Sequence, residues 1–534
     1  MKPINTGTAD FADLIKNNAI YVDKTAYIHR LVSDTNNRVV FISRPRRFGK
    51  SLTVSALKAL FQGRRELFRG LAIERLGWTW QTHPVIHFEF NDVSTETLEA
   101  FEASFVACVK DRIKAAGYEY DDAVPCPQNF AAAIEWLDAK SRDDHAKDPA
   151  HRGEGVVILI DEYDAPMGHA LDDLAKANAI RARMSAVYSQ MKNRVGCIRF
   201  LFMTGVSKFT KLSVFSALSN IRDMSQSDAY ATMFDYTEEE LAANFEDHLR
   251  EHARIMGKSY EDYREELKFW YNGFRFARNN PTTVYNPISV GYTLDAKDRS
   301  GFSATWATTG RPSMLMNYLK REDVSSLDWE NGVEAAEEEF DVADLERLTA
   351  KAMFYQSGYL TIKDYDAGLY TLGVPDEEVR RDMAKLTIGA MAAEDMTWAA
   401  SLGAKLLAAD WPRFFIGLKS LYAHLPYGPT EESVQEFSYE RVLCTLLATQ
   451  GIEVVAEDRQ SNGRSDIVAK HKRGIYIFEL KVGDPVDKAF AQIRSKGYAD
   501  PYVASGKPIW LVGLSFDPES RKLVECAAVP LERA

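Results

Sequence analysis

An apolar run, RVVFIS (38–43), passes directly into RPRRFGKSL, and a stretch with helical periodicity, SLTVSALKALFQG, follows it. A strand, a loop ending in Gly-Lys-Ser and a helix form the context in which a loop can wrap a triphosphate. Backbone N–H groups and the helix N-terminus hold the phosphate oxygens. Arg46, Arg47, Phe48, Gly49, Lys50, Ser51 and Leu52 are therefore the candidate ATP-binding loop. Lys50 is assigned to the β- and γ-phosphates and the Ser51 hydroxyl to Mg²⁺. The general pattern has a glycine where this chain has Arg44, so the turn lacks its usual conformationally free residue.

A second motif completes the chemistry. VVILIDEYDAP is an apolar strand that ends in Asp161 and Glu162. Functional groups of parallel α/β sheets collect at the carboxyl ends of strands. Asp161 is placed to hold Mg²⁺, and Glu162 to orient or activate water, which makes hydrolysis the natural reading. Thr204 ends the strand CIRFLFMTG and is a candidate contact to the γ-phosphate; a strand-terminal threonine capping the next turn is the equal alternative. Arg222 and Arg311 have the chemistry of arginine fingers, but nothing in the sequence separates them from surface arginines.

With PVIHFEF (84–90), these strands alternate with amphipathic stretches such as ALDDLAKANAIRARMSAVYSQMKN. Near-continuous apolar strands with helices between them predict a mostly parallel sheet covered on both faces. At 534 residues the chain should hold two or three domains. Texture divides it into a P-loop domain over 1–235, a helical lid or connector over 236–400, and an αβ domain over 401–534. Within the connector, QSGYLTIKDYDAGLYTLGVP (356–375) reads as a β-hairpin, in the manner of a winged-helix unit. The net charge of −12 argues against a protein that coats nucleic acid non-specifically. Five scattered cysteines without CxxC spacing, no secretory leader and no membrane-length apolar run point to the cytoplasm, with no membrane partner. A homo-oligomer remains open.

The C-terminal block carries NGRSDIVAKHKRGIYIFELKV. SDIVAK and GIYIFELKV alternate as strands, with HKRG between them as the turn. A turn at 471–474 pairs residues whose numbers sum to about 945, which sets Asp466 opposite Glu479. Period-two alternation then projects Asp466, Glu479 and Lys481 from one face and Ile467, Phe478 and Leu480 from the other. Two carboxylates can hold Mg²⁺ through hard oxygens while Lys481 orients or activates a water against a phosphodiester. The alternative is a surface salt bridge across a hairpin. Glu440, at the start of the helix SYERVLCTLLATQG, points at the same metal or simply favours the helix dipole. Gln492, Lys496 and Tyr498 lie on or just past a helix that flanks the cleft.

FISRPRRFGKSL, VVILIDEYDAP, MTGVSKFTKLSVFSALSN and VYNPIS together resemble the AAA-ATPase-like family of bacterial P-loop proteins. NGRSDIVAKHKRGIYIFELKV with AQIRSKGY resembles the PD-(D/E)XK nuclease-like domain that commonly follows it. The resemblance covers nearly the whole chain. It implies an ASCE-type P-loop core related to AAA+ and STAND ATPases and a restriction-endonuclease-like C-terminal fold. Lys50, Ser51, Asp161 and Glu162 then match the nucleotide site. Asp466, Glu479 and Lys481 match the catalytic trio, Glu440 the helix glutamate and Gln492 a later motif; the family's own loop resembles RPRRFGKS, so Arg44 is ordinary within it. The expectation is an ATP-dependent, Mg²⁺-dependent nuclease acting on DNA or RNA, serving in defence against foreign nucleic acid. The rival is a nucleotide-dependent switch or scaffold whose nuclease-like domain binds without cutting.

Overall fold

The computed structural model describes residues 1–36, 38–208, 221–295, 301–306, 315, 332–342, 349–392, 402–423, 432–449, 452–460, 463–520 and 522–531. Arg311 and the last twelve residues of MTGVSKFTKLSVFSALSN, 209–220, lie outside them. The chain divides into two compact units, Met1–Ser303 with Glu334–Asp376, and Ala304–Val333 with Glu377–Ala534.

In the first unit, β1 (Val39–Ser43), β2 (Val85–Glu89), β3 (Val156–Asp161), β4 (Ile198–Gly205) and β5 (Arg222–Asp223) form one sheet in the order β2-β3-β4-β1-β5. Every pairing in it is parallel. All six residues of β3 are buried, as are seven of the eight in β4, because helices cover both faces. β4 lies between β1 and β3, so the loop after β1 and the acidic end of β3 flank one notch at the carboxyl edge of the sheet.

Beyond the sheet, the helix Glu238–Met256 opens on a capping box of Thr237 and Glu240 and stops at Gly257, whose φ is 68°. Its Leu241, Phe245 and Leu249 pack with Leu267, Tyr271 and Tyr285. The last of these lies on β7 (Val284–Tyr285), which pairs antiparallel with β6 (Asn272–Phe274). A three-stranded sheet, β8 (Val333–Ala335), β9 (Thr361–Asp366) and β10 (Leu369–Gly373), has the order β8-β10-β9. Its β9–β10 hairpin turns at Ala367 and Gly368, both at positive φ, the twist a two-residue turn needs.

The second unit is built on β11 (Glu453–Gln460), β12 (Gly463–His471), β13 (Gly474–Val482), β14 (Ile509–Phe516) and β15 (Leu523–Pro530), adjacent in that order. Only β13–β14 is parallel, and the helix Val486–Lys496 supplies the crossover such a pair requires. Alternation divides the sheet between two cores. Ile467, Phe478 and Leu480 pack with Leu443, Leu446 and Leu447 of the helix Glu432–Thr449. Val468 and Ile477 pack with Phe490 and Ile493 of the crossover helix.

Candidate functional sites

The helix Lys50–Phe61 starts at the lysine of the loop, with Gly49 at φ 72° as its N-cap. A Cβ on Gly49 would stand 2.8 Å from the Phe234 carbonyl oxygen, so only glycine fits this turn. Arg47 also adopts positive φ, at 69°. The Phe48 ring is fully buried against Phe274 and Phe276 and anchors the loop from below. The Lys50 ammonium donates to the Pro45 carbonyl at 3.0 Å and lies 3.9 Å from the Glu162 carboxylate. The structure thus brings Lys50 and Glu162 together from opposite sides of the notch.

Asp161 ends β3, only 2% exposed, and its carboxylate takes a hydrogen bond from the Ser51 hydroxyl and one from the Glu162 N–H at 2.9 Å. Burial pushes its carboxyl up to about 6; the Ser51 bond pulls back, Glu162 pushes further and Lys50 pulls back. Glu162 holds φ at 49°, left-handed backbone that costs a non-glycine residue about 1–2 kcal/mol. Strain of this kind aims the side chain across the notch rather than along the strand. Thr204 is fully buried and donates its hydroxyl to the Ile42 carbonyl at 2.6 Å, a tie between β4 and β1.

Arg44 fills the place of the missing glycine with a cation only 1% exposed. Nη1 donates to the Ser43 and Ser225 carbonyls at 2.9 and 2.7 Å, Nη2 to the Tyr230 carbonyl at 3.1 Å, and the guanidinium lies 4.2 Å from the Phe276 ring centre. Asp235, fully buried, faces it electrostatically; burial pushes that carboxyl up to about 8, against the pull of Arg44 and then Lys24. The arginine therefore ties the loop to the segment after β5. Arg44→Ala strands those carbonyls, and the expected cost is about 3 kcal/mol or more, read as a lower unfolding midpoint by circular dichroism. Arg44→Gly, the residue of the general pattern, does not rescue it.

A cavity of about 200 Å³ opens beside the loop. Arg47, Lys50, Ser51 and Glu162 line its polar end; Ile4, Ile20, Val22, Phe245 and Ile288 line its apolar end. Lys24 on its wall donates to the Thr232 carbonyl and both Glu240 oxygens. The apolar wall was not read from the sequence, because its residues come from segments far apart in the chain. Asp164 was also missed: its buried carboxylate accepts from the Val206 and Ser207 N–H groups and the Ser207 hydroxyl, clamping the turn after β4 to the acidic motif. Lys208, two residues after Val206, pairs with Asp223 at 3.0 Å and Asp341 at 2.8 Å.

In the second unit the hairpin register is Ile467↔Phe478 and Val468↔Ile477, with His471↔Gly474 closing a two-residue turn. Asp466 lies one residue beyond the last laddered pair and accepts the Leu480 N–H at 2.7 Å. Glu479 is fully buried and takes the Lys481 ammonium at 2.8 Å; the same ammonium donates to the Leu480 carbonyl at 2.9 Å. Asp466, Glu479 and Lys481 thus share the hairpin face of Val468 and Ile477. Glu440 is buried on the helix that packs against the opposite face. Gln492, on the crossover helix, reaches the Tyr498 hydroxyl at 3.5 Å. Among the described residues no three His, Cys, Asp or Glu side chains are grouped to hold a metal. Two carboxylates with water completing the shell still suit Mg²⁺, which keeps several waters where Ca²⁺ or Zn²⁺ demands a fuller protein cage.

A parallel sheet with a Gly-Lys-Ser loop after one strand and an Asp-Glu pair after another defines a P-loop α/β protein. Residues 5–215 match the family model described as "Predicted AAA-ATPase", and residues 434–526 that of the PD-(D/E)XK nuclease superfamily. A protein of Azotobacter chroococcum mcd 1, described as "Uncharacterized protein in vnfD 5'region", is 32% identical over 524 residues, covering 94% of each chain. The chain belongs to the predicted AAA-ATPase family, with a PD-(D/E)XK nuclease superfamily domain at its C-terminal end. Among solved structures, "Structure of Drosophila ORC bound to AT-rich DNA and Cdc6" aligns with 70% of this chain and 93% of its own at 12% identity. The TM-score of that alignment is 0.21. All five cysteines are free thiols, and among the described residues no helix is long and apolar enough to cross a membrane.

Proposed function

We propose that the chain binds and hydrolyses ATP in its first unit and that the nucleotide state governs phosphodiester cleavage by the hairpin of the second. The observation that carries this reading is the meeting of Lys50, Ser51, Asp161 and Glu162 at one notch, beside a cavity with an apolar end. Lys50 neutralises phosphate charge and Glu162 accepts the proton of the attacking water. Ser51 and Asp161 here, and Asp466 and Glu479 in the hairpin, would hold Mg²⁺, which would supply Lewis-acid polarisation of phosphoryl oxygens. Lys481, on β13, orients the second water, and Gln492 lies on the crossover helix that follows. In this reading 1–235 is the ATPase, 236–400 the connector and 401–534 the nuclease, with foreign DNA or RNA as its target and ATP and Mg²⁺ as its requirements.

The direct test is Mg²⁺-dependent cleavage of single- and double-stranded DNA and RNA, with and without ATP. Cleavage by the wild type that disappears in Asp466→Ala supports the reading; cleavage equal in both removes the hairpin from it.

Acidity gives a second test. Asp161 takes up its proton near pH 6 in the folded chain, above the ordinary 3.8, so falling pH through that window stabilises the fold through this group. The same proton removes an anionic metal donor. ATP turnover at limiting Mg²⁺ is expected to fall below about pH 6 while circular dichroism stays unchanged, and added Mg²⁺ should move the fall to lower pH. A profile independent of Mg²⁺ would dissociate Asp161 from the metal.

A further inference from the structure

At the opposite end of the first sheet from the nucleotide site, a cavity of about 280 Å³ crosses the amino ends of four neighbouring strands. Its walls come from the residues that lead into or begin these strands: His83 before β2, Gly155 before β3, Arg199 in β4 and Arg38 before β1. The glycines here answer to packing. A Cβ on Gly155 would stand 3.0 Å from the Arg199 backbone nitrogen, and one on Gly153 would overlap the His83 ring.

The charges in this cavity are unbalanced. Glu154 and Asp138 are taken by Arg142, at 4.0 and 3.0 Å. Arg199 donates to the Val32 carbonyl and Arg38 to the Thr35 carbonyl, and among the described residues neither pairs with a carboxylate. Burial, and then the charge of Arg38, weaken the hold of Arg199 on its proton. Two guanidinium groups that repel each other in a partly desolvated cleft are held against their own electrostatics by the fold. An anion bound between them relieves that repulsion.

We propose that this cavity is a second anion site, which takes the phosphate groups of a small mono- or diphosphorylated ligand on Arg38 and Arg199. Its volume is at the small end of ligand pockets, and its basic groups sit in one cleft rather than along the stripe that nucleic acid requires. The site stands whether or not the nucleotide loop hydrolyses ATP.

Equilibrium dialysis of the full chain with labelled pyrophosphate reads it directly. The nucleotide loop also binds pyrophosphate, so the measurement is made on Lys50→Ala. Binding that remains there and weakens about tenfold or more in Arg38→Gln, and again in Arg199→Gln, is the expected result. Arg38 is exposed, so its substitution leaves the fold in place; ATP binding by Arg38→Gln and Arg199→Gln made with Lys50 intact verifies this for both. Absence of the site in Lys50→Ala, or its survival unchanged in the double arginine variant, overturns the proposal. Displacement of pyrophosphate by a single-stranded oligonucleotide at a lower concentration than by AMP overturns it too, in favour of a nucleic-acid backbone.

Discussion

Lys50→Ala is expected to lower ATP turnover by about three orders of magnitude, whereas Glu162→Gln keeps ATP binding and loses about two to three. The two residues differ in what they meet. The Lys50 ammonium is buried and has the Pro45 carbonyl and the distant Glu162 oxygen as its partners, an arrangement that a triphosphate exchanges for stronger charge-assisted bonds. Removing it takes charge from the bound triphosphate and more from the transition state, where charge builds on the phosphoryl oxygens, so affinity and rate fall together. Glu162 works on the water, and glutamine retains its shape without the basicity. Phosphate release from purified protein over a range of ATP concentrations separates the cases. Equal KM and kcat effects in both variants would mean that Glu162 merely balances Lys50.

The loop and the acidic pair were legible because each is local: a strand period of two, a terminal polar pair and a helix start occupy a dozen neighbouring residues. The hairpin was legible for a similar reason. With HKRG as the turn, period-two alternation leaves one register, and the pairs Ile467↔Phe478 and Val468↔Ile477 have it. What pattern could not supply was order in space. Nothing local says that β4 lies between β1 and β3, or that Ile4, Phe245 and Ile288 meet around one cavity. Arg44 illustrates the limit well. The sequence showed that a glycine was absent, but the carbonyls that receive the guanidinium, Ser225 and Tyr230, belong to a segment reached only through the tertiary fold.

Glu479→Gln is expected to lower Mg²⁺-dependent cleavage by about three orders of magnitude while leaving the unfolding midpoint nearly unchanged. A fully buried carboxylate is a poor stabiliser, because its desolvation offsets most of what its partners return. Glutamine keeps an oxygen that accepts the Lys481 ammonium, now at 2.8 Å from Glu479, and Lys481 keeps its bond to the Leu480 carbonyl. The fold therefore loses little, whereas a metal loses an anionic donor next to Asp466. If the Glu479–Lys481 pair were only a cross-link within the strand, the opposite balance would appear: a lower midpoint, with any cleavage falling only as far as the folded fraction. Cleavage and thermal unfolding measured on one preparation distinguish these. Lys481→Met sharpens the comparison, since it removes the ammonium, leaves Glu479 buried without it, and should therefore reduce both activity and stability.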